Sequence, residues 1–191
     1  MKEHAINSLN SFVCGWYLDD KDLMVCDELV KYHEISEDKV DGRTAAGLDK
    51  TKKNSKDLIL GEGGLQNSYF KLLQAVTTKY IEKYPYCNNG GSWRVMEDVL
   101  IQHYEPKGGY YSWHTERSNS DYPSTLRHLV FMTYLNDVTD DGETEFFHQG
   151  IKVAPEKGLT LVWGSDWTFT HRGIPSPTQD KYIITGWFNF I

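Results

Sequence analysis

The pattern of a histidine, any residue, then an acid occurs twice in "HYEPKGGYYSWHTE", as His103-Tyr104-Glu105 and as His114-Thr115-Glu116. On a strand, residues two apart face the same side, so both polar side chains of either pattern can reach one ion. Two imidazoles and one carboxylate on one face of a metal, with the other face open, is the donor set of non-haem Fe(II) oxygenases. With 7 histidines and 27 acidic residues in 191, about one such match is expected from composition alone. The pattern therefore needs a third ligand from elsewhere, and a context that separates the two copies.

In "VLIQHYEP", Val99, Ile101, His103 and Glu105 share one strand face and Leu100, Gln102 and Tyr104 the other, with either face able to be interior. His103 reads most simply as a strand residue that packs or hydrogen-bonds. The second copy follows the Gly108-Gly109 turn and lies behind Tyr110, Tyr111 and Trp113, where a strand resumes and a pocket mouth fits. The separating signal lies downstream, in "FTHRGIPSPTQDKYIITGWFNF". His171 begins a His-Arg-Gly triplet, and Lys181 follows in a strand that also holds Thr185 and Trp187.

Taken with Tyr104, the glycines before His114-Thr115-Glu116 and the Gly142-Glu143-Thr144 strand start, this order resembles the 2-oxoglutarate- and Fe(II)-dependent oxygenases, in particular their prolyl 4-hydroxylase-like branch. The match runs over roughly residues 95 to 190. The resemblance implies that His114, Glu116 and His171 are the catalytic centre and hold Fe(II). It implies that 2-oxoglutarate binds in two open coordination positions and O2 in the last, with ascorbate as a further candidate cofactor. The far carboxylate of 2-oxoglutarate needs a buried cation, because an unpaired carboxylate in a pocket is expensive. Lys181 is the expected partner and Arg127, in "TLRHLVF", the alternative; Tyr104 and Thr185 are the expected hydrogen-bond donors. Trp187 and Tyr111 are candidates for the prime-substrate pocket, the other reading being that both are core aromatics. One departure stands out: the branch usually carries Asp where this chain has Glu116, and the extra methylene moves the carboxylate by about one bond length, which a metal site tolerates only if its supports adjust.

The elements that must position these residues are legible in the texture of the chain. Residues 12–18, "FVCGWYL", suit a buried strand, and Asp19 and Asp20 offer helix N-caps ahead of Leu23, Cys26, Leu29 and Val30 at helical spacing. Residues 36–57 turn polar and read as a long loop, a candidate substrate flap. In "LQNSYFKLLQAVTTKYIEKY", Tyr69, Leu72, Leu73, Val76, Tyr80 and Ile81 share one helical face. Past Pro85 at least seven short β-branched and aromatic runs follow, separated by Gly, Pro, Asn and Asp. We expect one domain over residues 1–191, mainly β with flanking helices (α+β). Residues 95–191 form a double-stranded β-helix (jelly-roll) core, and the N-terminal helices of residues 1–94 pack on one sheet.

Composition narrows the function classes. The net charge of −7 disfavours nucleic acid as a partner. There is no apolar run long enough to span a membrane, and "MKEHAINSLNSFV" lacks the layout of a signal peptide, so a cytoplasmic protein is expected. Cys14, Cys26 and Cys87 are odd in number and far apart, which fits buried thiols rather than disulfides or a zinc knuckle. The leading expectation is a hydroxylase that couples oxidation of a C–H bond, a prolyl residue in a peptide or protein first, to decarboxylation of 2-oxoglutarate to succinate and CO2. The alternatives are a hydroxylase of a free amino acid or other small metabolite, and a non-catalytic β-helix used as a binding module. The sequence sets no oligomeric state.

Overall fold

In a computed structural model, the structure describes residues 1–6, 11–117 and 121–191; residues 7–10 of the N-terminal stretch lie outside the described residues. Among the described residues, eleven strands and two α-helices follow in the order β1 (Cys14–Tyr17), α1 (Met24–Ile35), β2 (Val40–Asp41), β3 (Lys56–Ile59), α2 (Gly64–Lys83), β4 (Trp93–Val95), β5 (Leu100–Tyr104), β6 (Arg127–Tyr134), β7 (Thr144–Phe146), β8 (Ile151–Val153), β9 (Leu159–Gly164), β10 (His171–Gly173) and β11 (Lys181–Phe190). The major sheet runs β1-β9-β6-β11-β5-β3-β2, with β4 also paired to β11; the minor sheet runs β10-β7-β8. Their pairings are antiparallel. This is the expected jelly roll.

The period-two pattern of the long strands builds two cores. From β6 and β11, Leu129, Phe131, Ile184 and Phe188 join Leu29, Tyr69, Leu73 and Val76 of the helices. The alternate residues Val130, Met132, Tyr134 and Ile183 point the other way, toward Phe146 and Val153 of the minor sheet. The major sheet is thus covered by helices on one face and by the minor sheet on the other, and the functional side chains of β5, β6 and β11 share the second face. Gly186 permits a close approach on the helical side: a Cβ there would lie 2.6 Å from the Phe131 ring. Helix α2 ends just before Pro85, because the residue preceding a proline is pushed out of the α region.

Two expectations are corrected. Asp19 and Asp20 do not cap α1, which begins after a single 3-10 turn at Asp20–Asp22 with no side-chain cap bond. Residues 36–57 are not one continuous loop. Val40–Asp41 and Lys56–Ile59 pair with each other, and the second strand extends the major sheet beside β5. "KDLI" has a polar start and only one apolar pair, too short a run to show a period; its register against β5 makes it a strand. The cysteines are free, with Cys14 and Cys26 buried. Among the described residues, no helix is long and apolar enough to cross a membrane.

Candidate active site

A cavity of about 440 Å³ lies against the major sheet's inner face, reached by His114, Glu116 and His171 together with Tyr104, Arg127, Lys181, Thr185 and Trp187. Backbone pairing sets the first three in place. His114 and His171 form an isolated bridge in which each amide donates to the other's carbonyl at 3.0 Å, tying the segment after the Gly-Gly turn to β10. Each imidazole Nδ1–H donates to the carbonyl two residues upstream, His114 to Ser112 at 2.9 Å and His171 to Phe169 at 2.8 Å. That bond leaves Nε2 of both rings free, the tautomer a metal ligand needs. Glu116 Oε1 stands 3.6 Å from His114 Nε2 and 3.4 Å from His171 Nε2, and the three ligand atoms lie within 4.8 Å of one another. Donors about 2.0–2.2 Å from a shared ion stand roughly 3–3.5 Å apart, so the two Glu116–histidine distances are of the size a shared metal needs.

The charges agree with that fit. Burial works to raise the Glu116 carboxyl, but His114 and His171 beside it hold it well below the usual carboxylate range. Burial, and then the neighbouring His171, push the His114 imidazole down, which favours the neutral, ligand-competent ring. Tyr110 stacks on that ring at 3.6 Å between centroids and 9° between planes.

Lys181 is 4% exposed, and its Nζ donates to two backbone carbonyls, Gly142 at 2.9 Å and Ile174 at 3.2 Å. Burial pushes its amine down to about 8, with the charge of Glu143 working against the shift. Its register partner is Tyr104, whose ring it overlies at 5.0 Å. The Tyr104 hydroxyl donates to Gln102 Oε1 at 2.7 Å; burial and then Asp57 keep it protonated far above the ordinary tyrosine value. Thr185 donates to the Phe131 carbonyl at 2.9 Å.

Arg127 is engaged in a different way from Lys181. Its Nε and Nη2 donate to the two oxygens of Glu97 at 2.8 and 2.5 Å, its Nη1 donates to the Glu116 carbonyl at 2.8 Å, and its Cζ lies 3.5 Å above the Trp187 ring. Trp187 itself donates from Nε1 to Glu116 Oε2 at 3.0 Å.

Other side chains fall differently from expectation. Tyr111 turns away from the cavity and donates to the Lys107 carbonyl at 2.6 Å; Tyr110 lines the wall instead. Counting by twos back from His114 reaches 110 and not 111, so strand alternation held the signal. His103 faces the helical side, with Nε2 2.6 Å from Asp180 and its ring stacked on Tyr182. The buried cluster of Lys53, Ser55 and Asp57 escaped sequence reading. Lys53 Nζ donates to Asp57 at 2.6 Å, Ser55 Oγ at 2.7 Å, and Lys53 and Asp57 line the cavity. Gly42 lets the opposite strand pass over it, since a Cβ there would lie 2.1 Å from Ser55 Oγ. Asp57→Ala strands a buried ammonium and is expected to cost about 3–5 kcal/mol in urea unfolding, while replacing both partners by apolar residues recovers most of it. A single variant as stable as the parent would show the pair to be dispensable.

A family profile described as "2OG-Fe(II) oxygenase superfamily" matches residues 99–189. The chain is 25% identical over 107 residues to prolyl 4-hydroxylase subunit alpha-1 of Rattus norvegicus, a match covering 49% of this chain and 20% of that protein. The chain thus spans about a fifth of the length of the curated relatives it matches. Among solved structures, it superposes on the viral collagen prolyl hydroxylase of Paramecium Bursaria Chlorella virus-1, in its 2OG complex, with TM-score 0.70 at 19% identity, covering 94% of this chain and 97% of that one. It superposes on the Trichoplax adhaerens prolyl hydroxylase in complex with a hypoxia inducible factor peptide fragment with TM-score 0.74 at 19% identity, covering 94% and 84%.

Proposed function

We propose that this chain is a 2OG-Fe(II) oxygenase, a reading supported by the profile match over residues 99–189, and that it hydroxylates a prolyl residue of a peptide or protein. The observation that carries the reading is the presence, in one cavity, of three metal-competent donors and a buried lysine that, among the described residues, has no carboxylate in salt-bridge contact. Fe(II), 2-oxoglutarate and O2, once bound, supply the oxidation that yields succinate, CO2 and a hydroxylated C–H carbon.

The chain's own residues do the positioning. His114 and His171 present Nε2, and Glu116 presents Oε1. Lys181 offers its charge to the distal carboxylate of 2-oxoglutarate, with Tyr104 and Thr185 on the same wall. Met132, Trp163 and Ile183 line that wall and exclude water. The rim suits a substrate longer than the cavity: Val40 and Ile59, 60% and 51% exposed, offer an apolar edge to the flanks of a passing peptide. The likeness to prolyl hydroxylases, one of them solved with a peptide, supports the same choice. Oriented imidazoles and a buried cation on the cavity wall argue against a decayed, purely binding role.

The test adds Fe(II) and 2-oxoglutarate without oxygen, then air and a panel of proline-containing peptides and free metabolites. A visible charge-transfer band is expected, followed by succinate and a gain of one oxygen on a peptide. Neither band nor succinate would sink the enzyme reading, and oxygen gained by a metabolite alone would move the substrate class.

A pH dependence follows from Lys181. Its amine is charged below about 8 and loses its proton above it. The dissociation constant of 2-oxoglutarate should therefore be flat to about pH 7.5 and climb toward tenfold per pH unit beyond 8, since the complex restores the ordinary, higher value. Calorimetry from pH 6.5 to 9.5 on Mn(II)-loaded protein checks it; a constant affinity across that range refutes the lysine's role.

A further inference from the structure

Glu116 has two carboxylate oxygens with different company. Oε1 faces both imidazoles, whereas Oε2 accepts from Trp187 Nε1 at 3.0 Å and lies 3.5 Å from Arg127 Nη1. Behind these two donors the structure is braced. Glu97 takes the Nε–Nη2 edge of the Arg127 guanidinium and also accepts from Asn189 Nδ2 at 2.8 Å. Arg127 returns to hold the Glu116 carbonyl, with its Cζ 3.5 Å over the indole. Two residues of β11, the first residue of β6 and Glu97 thus form one connected frame around a single carboxylate oxygen.

We propose that Trp187 and Arg127 are positioning residues for the metal: the frame occupies the outer oxygen of Glu116, so that only Oε1 is presented to the ion, and it sets the reach of the side chain at that of glutamate. A glutamate has one more rotatable bond than an aspartate and, unheld, can swing away or turn both oxygens to the metal. With Oε2 anchored, both alternatives cost a charge-assisted bond and leave the indole N–H buried without an acceptor. An aspartate fixed at the same backbone position cannot span from the imidazoles to the indole, so it must give up one contact. Trp187, expected from the sequence to line the substrate pocket, does line the cavity, and it also acts through the ligand.

The proposal rests on the metal-site reading above, and its test is a metal titration that needs no turnover. Mn(II) binding is followed by electron paramagnetic resonance on the full chain, with Co(II) absorption reporting geometry. Trp187→Phe keeps the ring over Arg127 and removes only the donor; Mn(II) affinity is expected to fall roughly 10-fold or more, with a changed Co(II) spectrum and unaltered circular dichroism. Glu116→Asp is expected to lose affinity to a similar degree. The double variant should bind as Glu116→Asp alone does, because the interaction is already broken. Parent-like Mn(II) affinity in folded Trp187→Phe, or strictly additive losses in the double variant, overturns the proposal. If the hydroxylase reading fails instead, no peptide or metabolite gains oxygen while the metal titrations still follow this pattern.

Discussion

Alanine in place of His171 or Glu116 should abolish succinate formation, while His103→Ala leaves it largely intact. The contrast is informative because His103-Tyr104-Glu105 and His114-Thr115-Glu116 are the same pattern in composition and differ only in where the fold sends them. His171 and Glu116 supply two of the three atoms within 4.8 Å of one another, so losing either leaves two donors. The drop in metal affinity should exceed the roughly 10- to 100-fold seen when only a group orienting a ligand is lost. His103 faces the helices and holds Asp180 at the protein edge, on the side of β5 away from the cavity. Succinate release with a fixed peptide, beside Mn(II) titration, measures both. Equal loss in a folded His103→Ala protein would show that the wrong copy has been assigned.

The second large effect belongs to Lys181. Lys181→Met keeps length and apolar bulk but removes the cation, so a bound dicarboxylate would bury one end unpaired. Truncating one member of a buried, hydrogen-bonded charge pair costs about 2–5 kcal/mol, which is roughly 30-fold to several thousandfold in the dissociation constant of 2-oxoglutarate. The alternative cation, Arg127, is already neutralised by Glu97 through its Nε and Nη2, whereas among the described residues Lys181 donates only to carbonyls. Calorimetry with Mn(II)-loaded protein decides it. Unchanged 2-oxoglutarate affinity in Lys181→Met would return the anchor to Arg127.

How far the sequence carried the architecture depended on the range of the interactions. The helix over 64–83 and the strands after Pro85 rest on periods of 3.6 and 2 that any local window contains, and they formed as read. The candidate triad of His114, Glu116 and His171 spans distant segments, yet the grouping was legible because its residue types are scarce and stand in a familiar order. Contacts with neither local period nor rare chemistry were not legible. Glu97 and Arg127 are ordinary charged residues that meet only because β6 and the approach to β5 flank β11. Lys53 and Asp57 looked like solvated loop charges until β3 docked beside β5 and turned them inward. Tyr110 was a matter of parity, passed over in favour of its neighbour.

The reciprocal amide bonds between His114 and His171 have a consequence for the order of events in the cell. Because the two ligand-bearing segments are stitched by main chain, and each ring is oriented by its own carbonyl, the conformational entropy of assembling the donors is spent during folding. Metal uptake then resembles docking into a preorganised socket, unlike the coupled folding of small zinc domains.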